Sequence, residues 1–316
     1  MDSHYGSYCL CCGKPIEEGF WHRSCLRKFF GSESLPSIKL SLEELEQVAI
    51  AQLGEHKTVA GVQEKLSLHL DLSNRKRPRL TLLGYPSGYI LKPQSSTYKR
   101  LPEFEQTSML LASLCELRVV EHGLIPLEGG ELAYITKRID RSEKGKIHME
   151  DFCQASNNVT ADKYRSSYEE CAKLIMRHSQ NPTIDKIRFF CCLYFCFLIG
   201  NSDAHLKNFS FLMDEQGKLS LAPFYDLLPT KVILPSDHED LGMLLNGHKM
   251  NLRGHDFEAF AQSIGIARLT REKIMSGIEA KYESMCEIID HALLDQNSKS
   301  AWKRMIKANI RRAHAP

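Results

Sequence analysis

An apolar run from Phe189 to Ile199, followed directly by a dense polar loop, constrains the fold of this chain more than any other segment. Gly200 and Asn201 come next and are typical of a helix C-terminus, so we expect a buried helix that ends there. The polar loop contains Asp203 and Asn208, five positions apart. The sequence therefore predicts a carboxylate and an amide held in place by the end of a buried helix.

A predicted hairpin adds a second carboxylate to this loop. Residues 209–213 and 219–222 are mostly apolar and Gly217 lies between them, a pattern that indicates two short strands joined by a turn, with Asp226 just beyond. Phosphoryl transfer needs a carboxylate that orients the attacking hydroxyl and oxygen ligands for magnesium, and protein kinases place these groups in this order. Taken singly, each residue is better explained as a turn cap; the combination favours catalysis.

A lysine and an acidic helix in the first half of the chain suit nucleotide binding. Lys92 lies at the end of an apolar strand predicted over 88–93, where kinases place the lysine that contacts the nucleotide phosphates. A solvated lysine at a strand end explains the same residue equally well. A helix is predicted over 102–117, and Glu105 on it is a candidate to hold Lys92, with Glu103 as its competitor.

Two further segments are candidates for nucleotide contacts. A loop with one glycine, Gly61, precedes a strand predicted over 66–72. A single glycine is weak evidence for a phosphate-binding loop, and a plain turn is the alternative. A strand predicted over 133–141 lies where a kinase hinge would hold adenine by its backbone groups.

The N-terminus carries a cluster of cysteines with a histidine. Cys9 and Cys12 form a C-x-x-C motif, and His22 and Cys25 are two further candidate ligands. Thiolates and imidazole at this spacing suit tetrahedral zinc in a segment too small to have its own core. Cys11 competes with Cys9 or Cys12, and free thiols on a flexible leader are the alternative. Four protein ligands leave no open position, so we expect a structural role.

Composition narrows the class of protein. A net charge of +2 over 316 residues gives no argument for binding to nucleic acid or to a membrane. The 11 cysteines, together with a polar N-terminus that lacks the pattern of a signal peptide, indicate a reducing compartment. We therefore expect a cytoplasmic protein.

The pattern along the chain predicts three parts. Residues 1–35 form the cysteine knuckle, 36–145 a lobe with the nucleotide-binding loop and lysine, and 146–316 a helical lobe with the catalytic loop. Ser41 and Glu44 form a capping box that predicts a helix over 42–53. Amphipathic patterns predict three C-terminal helices, at 256–264, 270–290 and 299–314.

Six segments of the chain resemble the HipA-like serine/threonine kinase toxins of bacterial toxin–antitoxin systems. They come in family order, cover most of the chain from about residue 55, and read AGVQEK at 60–65, ILKP at 90–93, RIDR at 138–141, EDFCQ at 150–154, GNSDAHLKNFS at 200–210 and YDL at 225–227. The block around Asp203 is highly specific to this family. The resemblance implies an α+β, two-lobed, protein-kinase-like fold with a mostly helical C-terminal lobe, and an ATP- and magnesium-dependent protein kinase.

The resemblance also implies a role for each matching residue. Asp203 looks like the catalytic base, and Asn208 and Asp226 look like the magnesium ligands. Lys92 looks like the lysine that contacts the ATP phosphates, while His205 would brace the loop and Lys207 would approach the transferring phosphate. Further nucleotide contacts are implied at Gly61, Val62, Gln63, Lys137 and Ile139.

One implied feature is regulatory. In the family, a serine before the glycine loop is autophosphorylated, and this ejects the loop and inactivates the kinase. Thr58 holds that place here, three residues before Gly61. A threonine carries the same hydroxyl, so the switch is possible, although a threonine acceptor departs from the family pattern.

The resemblance further implies partners. With only the knuckle and one predicted helix before the kinase core, the chain is similar to short HipT-type toxins, whose missing N-terminal subdomain is supplied by a separate small protein. It also implies a helix-turn-helix antitoxin that binds operator DNA, no direct DNA or membrane contact, and an aminoacyl-tRNA synthetase as substrate. A catalytically silent kinase-fold subunit that binds partners through the knuckle is the alternative, and a kinase of small molecules or lipids is a third.

Overall fold

The computed structural model describes residues 7–38, 65–82, 87–142 and 144–315. The helix predicted over 42–53 and the glycine-loop residues lie outside the described residues; the latter are Thr58, Gly61, Val62 and Gln63. The chain divides into two compact units. The first takes its described residues from Met1–Leu110, Val120–Gly145 and His291–Leu294, and the second from Leu111–Val119, Lys146–Asp290 and Asp295–Pro316.

The first unit is built on a five-stranded antiparallel sheet. Its order is β2-β1-β3-β5-β4, with strands β1 (Leu66–Asp71), β2 (Arg79–Thr81), β3 (Tyr89–Lys92), β4 (His122–Pro126) and β5 (Leu132–Lys137). Successive residues of β4 and β5 are buried, which means that both faces of the sheet are covered there. The strands predicted around 66–72 and 88–93 are confirmed, whereas β4 was not predicted.

Two helices accompany this sheet, α1 (Arg23–Phe30) and α2 (Leu101–Leu114). Nearly every side chain of α2 is buried, including the polar ones of Glu103, Glu105 and Gln106. A helix that is buried on all sides has no amphipathic stripe by which its sequence could be recognised. Its buried polar side chains need partners inside the unit. The helix predicted over 102–117 is confirmed as an element and ends at Leu114.

The second unit is organised around the predicted buried helix, α5 (Pro182–Ile199). Every side chain from Cys192 to Ile199 is buried. The helix ends where the sequence predicts: Gly200 has φ of 76°, and the Asn201 backbone N–H donates to the Cys196 carbonyl at 2.8 Å. Glycine adopts this left-handed conformation without the steric cost of a Cβ, so the chain can turn sharply into the polar loop.

A three-stranded sheet follows, in the order β10-β9-β8. The predicted hairpin is confirmed as β9 (Ser210–Met213) and β10 (Leu219–Leu221). The third strand, β8 (Met149–Asp151), was not predicted; it pairs with β9 so that Asp151 lies opposite Ser210. Three residues without apolar alternation carry no strand signal of their own.

The remaining α-helices of the described residues range from single-turn segments to longer helices that pack against α5. They are α3 (Phe152–Ala155), α4 (Tyr168–His178), α6 (Thr230–Ile233), α7 (Gly254–Ser263), α8 (Arg268–Glu279), α9 (Tyr282–His291) and α10 (Gln296–Ala313), with short strands β6 (Arg141–Ser142) and β7 (Gly145–Lys146). In the described part of the chain, no helix is long and apolar enough to cross a membrane.

The prediction of one continuous C-terminal helix over 270–290 is wrong. The pattern over 270–290 predicts a single helix, but the structure breaks it into α8 and α9 at Ala280 and Lys281. The Lys281 backbone N–H donates to the Ile278 carbonyl, and its side chain donates to the Leu114 carbonyl at 2.6 Å. The apolar period continues across the break, so periodicity alone does not detect it.

Candidate active site

The polar loop after α5 is held by contacts from several elements of the second unit. The Ser202 backbone N–H donates to Thr230 Oγ1 at 2.7 Å, and the Tyr168 hydroxyl donates to the Ala204 carbonyl at 2.7 Å. Gly242 packs so closely that an added Cβ would lie 2.8 Å from the Ser202 carbonyl oxygen. The loop backbone is therefore fixed on both sides of Asp203.

Within this loop, the structure brings Asn208 and Asp226 together. Asn208 ends a short 3₁₀ turn, Leu206–Asn208; its Oδ1 accepts from the His205 backbone N–H at 3.0 Å and its Nδ2 donates to Asp226 Oδ2 at 3.2 Å. Asp226 has φ of 62°, a conformation that Asp tolerates better than most residues. One carboxylate and one amide thus meet after the hairpin, as the spacing predicts.

His205 is a buried residue of this loop. Burial lowers the pKa of His205, against the opposing influence of Asp203 and Asp226. A neutral, buried His205 suits a bracing part better than proton transfer at neutral pH.

Tyr164 is a residue of this site that the sequence does not reveal. Its hydroxyl donates a short hydrogen bond to Asp203 Oδ1, and its ring packs edge-on against His205 at 5.0 Å between centroids. Burial and the Asp203 carboxylate raise the pKa of Tyr164, so the hydroxyl keeps its proton and remains a donor. Tyr164 is nevertheless 38% exposed, so solvent reaches this contact.

Lys207 makes an ion pair that was not predicted. Its Nζ lies 2.8 Å from Asp151 Oδ2, with side chains 34% and 15% exposed. Asp151 also caps α3 by accepting from the Gln154 backbone N–H at 2.8 Å. The Tyr225 hydroxyl donates to the Lys207 carbonyl at 3.2 Å, which fixes the backbone below this side chain. Strand β8, which sequence patterning misses, is what places Asp151 here.

In the first unit, Lys92 pairs with Glu105. Lys92 Nζ lies 2.5 Å from Glu105 Oε1, and the two side chains are only 5% and 1% exposed. The ammonium also lies over the Tyr134 ring, 5.4 Å from its centroid. The competitor Glu103 accepts instead from Arg100 at 3.0 Å and from Gln94 at 2.9 Å. Of the two candidate acids, the structure therefore pairs Lys92 with Glu105.

The predicted hinge segment is shorter than expected. Strand β5 ends at Lys137, so the strand predicted over 133–141 is wrong beyond that point. Arg138 donates twice to Asp140, at 2.9 and 2.7 Å, and this turns the chain out of the sheet. Lys137 is exposed and lies 3.6 Å from Glu121, whereas Ile139 is half-buried in the turn.

The four predicted ligands of the N-terminal cluster come together. One ligand atom each from Cys9, Cys12, His22 and Cys25 lies within 4.8 Å of the others. Cys12 Sγ is 3.3 Å and Cys25 Sγ 4.0 Å from His22 Nδ1. Three thiols and one imidazole at such distances can hold a metal ion. Cys11, the sequence competitor, is not part of this group.

Comparisons with known proteins show which family this chain resembles. The family model of the HipA-like C-terminal domain matches residues 57–298. "Putative kinase Y4mE" of Sinorhizobium fredii is 30% identical over 256 residues, 76% of this chain and 58% of that protein. A "Putative kinase" of Haemophilus influenzae is 27% identical over 291 residues, 83% of this chain and 82% of that protein.

A third relative has a solved structure. "Serine/threonine-protein kinase toxin HipA" of Shewanella oneidensis is 26% identical over 67% of this chain and 52% of its own length. The structure of the Shewanella HipA, HipB and operator DNA complex matches with a TM-score of 0.69 at 22% identity, over 86% of this chain and 71% of that one. This likeness shows that the fold is that of the HipA-like proteins, as the sequence predicts.

Proposed function

Since the chain belongs to the HipA-like family, whose C-terminal domain covers residues 57–298, we propose that it is an ATP-dependent protein serine/threonine kinase and the toxin of a toxin–antitoxin system. The observation that carries this proposal is the loop of the second unit. It combines Asp203 with an Asn208–Asp226 pair held at 3.2 Å, on a backbone fixed from both sides. Phosphoryl transfer depends mainly on positioning and charge, and a rigid loop of this composition supplies both.

Each side chain of the loop has a part in the proposed reaction. Asp203 would orient the substrate hydroxyl and accept its proton. Carboxylate and amide oxygens suit Mg²⁺, and Asn208 and Asp226 would hold it. Magnesium, when bound, neutralises charge on the phosphate oxygens. Lys207 would approach the transferring phosphate after leaving Asp151, while His205 would brace the loop.

The nucleotide contacts proposed in the first unit centre on Lys92. Glu105 fixes its ammonium in a site from which water is nearly excluded. A charge held in such a site interacts more strongly with phosphate than one in bulk water. Backbone groups at Lys137 and Ile139 would contact adenine, and those of Gly61, Val62 and Gln63 the phosphates; these five assignments rest on the family motif alone.

Regulation and partners form the outer part of the proposal. Thr58 would be autophosphorylated and so silence the kinase. A helix-turn-helix antitoxin and a small protein that replaces the N-terminal subdomain would bind the chain, and the substrate would be an aminoacyl-tRNA synthetase. The Shewanella relative was solved with HipB and operator DNA, which supports an antitoxin partner. The chain matches 58% of the length of its Sinorhizobium relative, so these whole-protein properties are proposals.

The intact mass of the purified chain, with and without magnesium and ATP, tests the kinase proposal. We expect a phosphate on the wild type, mapped to Thr58 or a neighbour, and none on Asp203→Asn. Asp295→Asn is the matched control, because Asn at the start of α10 caps the helix as Asp does. Equal phosphate on Asp203→Asn would overturn the assignment of Asp203. No transfer of labelled phosphate by the wild type, to itself or to protein in a cell extract, would favour the silent kinase-fold subunit.

A further inference from the structure

Within the N-terminal knuckle, residues 9–25 contain a complete set of ligand atoms for one tetrahedral metal ion. In a zinc site with bonds of about 2.0–2.3 Å, ligand atoms lie about 3.3–3.8 Å apart. The atoms of Cys9, Cys12, His22 and Cys25 all lie within 4.8 Å of one another, and two of the sulfurs are 3.3 and 4.0 Å from the imidazole Nδ1. Small movements would bring all four to bonding distance.

The orientation of His22 is the second sign of a metal site. Its Nε2 lies 2.9 Å from the Pro15 carbonyl oxygen, which only accepts, so Nε2 carries the proton and donates. Nδ1 then has its lone pair free and directed toward the sulfurs of Cys12 and Cys25. Metal-bound histidines characteristically donate their other ring N–H to such an oxygen, which fixes the tautomer and the ring.

The C-x-x-C turn is shaped by its backbone. The Cys9 N–H donates to the Lys14 carbonyl at 2.8 Å and the Gly13 N–H donates to the Cys9 carbonyl at 2.9 Å. Gly13 has φ of 68°, and an added Cβ would lie 3.0 Å from the Leu110 side chain on α2. The His22 backbone N–H donates to Cys9 Sγ at 3.3 Å, an interaction that stabilises a thiolate.

We propose that Cys9, Cys12, His22 through Nδ1, and Cys25 bind one Zn²⁺, and that this ion holds the knuckle as a brace on strand β4 and on helix α2, which bears Glu105. The soft thiolates with one imidazole favour Zn²⁺ over magnesium or calcium. The site is closed, since four protein ligands fill the tetrahedron. The brace deepens the proposed kinase function, because Glu105 holds the proposed phosphate-contacting lysine.

The contact with β4 makes the knuckle part of the sheet's edge. In the order β2-β1-β3-β5-β4, strand β4 lies at the end of the described sheet. The Leu124 N–H donates to the Leu10 carbonyl at 2.9 Å, and Trp21 Nε1 donates to the Leu124 carbonyl at 2.8 Å. An added Cβ at Gly123 would lie 2.4 Å from the Trp21 ring, so the knuckle and strand β4 are in direct contact here. Without the knuckle, this strand would expose its backbone groups.

The contact with α2 passes through Gln106, the residue next to Glu105. Gln106 Nε2 donates to the carbonyls of Leu10 at 3.0 Å and Cys11 at 2.9 Å, while its Oε1 accepts from His122 Nδ1 at 2.6 Å. Gln106 and His122 are both buried. The knuckle backbone thus satisfies both donors of a buried amide, and its departure would leave them unsatisfied inside the unit. Loss of the metal therefore loosens the helix beside Glu105.

Metal analysis of the purified full-length chain tests the ligand set. We expect about one Zn²⁺ per chain for the wild type, because four ligands complete a single site. Cys12→Ser and Cys25→Ser are expected to lose most of it. Cys11→Ser is the matched control and is expected to keep it. A wild type without zinc after growth with zinc, or a Cys11→Ser variant that loses zinc while Cys12→Ser keeps it, would overturn the assignment.

Hydrogen exchange of the backbone amides tests the brace and requires no kinase activity. A chelator added to the folded wild type should raise exchange at least tenfold in α2 and β4, and leave α7 of the second unit unchanged. Gln106→Leu should keep its zinc and raise exchange in α2, with no further rise when combined with Cys12→Ser, because both remove the same contact. Unchanged exchange in α2 after metal loss would overturn the brace.

A nucleotide-binding assay separates this proposal from the proposed function. If the brace supports Lys92, metal loss is expected to weaken ATP binding about fivefold or more, in parallel with the exchange in α2. A loosened α2 with unchanged ATP binding would confirm the brace and contradict the part proposed for Lys92. If metal loss changes neither ATP binding nor hydrogen exchange in α2, the brace is contradicted and the part proposed for Lys92 is not.

Discussion

Two lysine–carboxylate pairs in this protein have the same chemistry and different surroundings. Lys92 and Glu105 meet at 2.5 Å in a nearly dry interior, whereas Lys207 and Asp151 meet at 2.8 Å where solvent reaches both. Charges taken out of water are stable only as a pair, so the first contact is fixed once the unit has folded. A partly solvated pair costs less to open. Lys92 therefore keeps its partner in the folded unit, whereas Lys207 can exchange Asp151 for another anion at little cost.

Removing Glu105 is expected to have the largest effect. In Glu105→Gln the Lys92 ammonium stays buried without its carboxylate, which costs about 3–5 kcal/mol. Chemical unfolding of the first unit should therefore begin at clearly lower denaturant, and ATP binding should be lost. Glu33→Gln, which opens the exposed pair with Arg27, is the control and should leave the unfolding midpoint unchanged. Equal midpoints for the two variants would mean that the buried pair is not fixed.

Removing Lys207 should separate stability from activity. Lys207→Met breaks a partly solvated pair, so the unfolding midpoint should hardly move. If Lys207 stabilises charge on the transferring phosphate, kcat should fall about 10²-fold, the usual effect of losing one such group. Asp151→Asn preserves the cap of α3 and should lower kcat much less. A kcat for Lys207→Met within twofold of wild type would leave this lysine as a structural residue.

A buried histidine beside the Glu105 helix should make the first unit sensitive to acid. Burial lowers the pKa of His122 from 6.5 to about 3. The folded state thus binds this proton more weakly than the unfolded state, and stability falls as pH drops from about 6.5 toward 3, by at most about 1.4 kcal/mol per pH unit. Its contribution is complete above pH 6.5. Unfolding midpoints of His122→Asn, whose amide can still donate to Gln106, should show a shallower slope over this range; an unchanged slope would assign the acid sensitivity to other groups.

Removing the Tyr164 hydroxyl, which donates a hydrogen bond to Asp203, is expected to have the smallest effect. Tyr164→Phe removes a hydrogen bond with a net value of about 1 kcal/mol, so the substrate hydroxyl has less to displace. We expect kcat/KM to rise about fivefold. Tyr282→Phe, which removes a hydroxyl that donates to the Lys303 carbonyl, is the control. A fall in kcat/KM would show instead that Tyr164 positions Asp203 for catalysis.

Local spacing predicted much of this molecule from sequence. The end of α5, the hairpin and the meeting of Asn208 with Asp226 follow from elements adjacent in the chain. The four candidate ligands of the knuckle were likewise predicted to lie together, because the motif places them at short intervals in the chain. Thr58 and the glycine loop stay predictions.

The site contacts that sequence patterning did not predict join residues that are distant in the chain. Asp151 comes to Lys207 through strand β8, which forms only because β9 offers it an edge. Tyr164 reaches Asp203 across 39 positions from a segment without a periodic pattern. The choice of Glu105 over Glu103 depends on how α2 is rotated against the sheet, and both side chains are buried, so neither composition nor spacing decides it.

The close approach of Gly242 has a consequence for how variants of this gene are judged. A single methyl group added there would meet the Ser202 carbonyl at 2.8 Å and the Ala204 backbone at 3.2 Å, and would have to push the loop that carries Asp203. Such an allele would keep every proposed catalytic residue and still encode an impaired protein. A strain survey that scores genes as intact by checking the motif alone would count it among the functional copies.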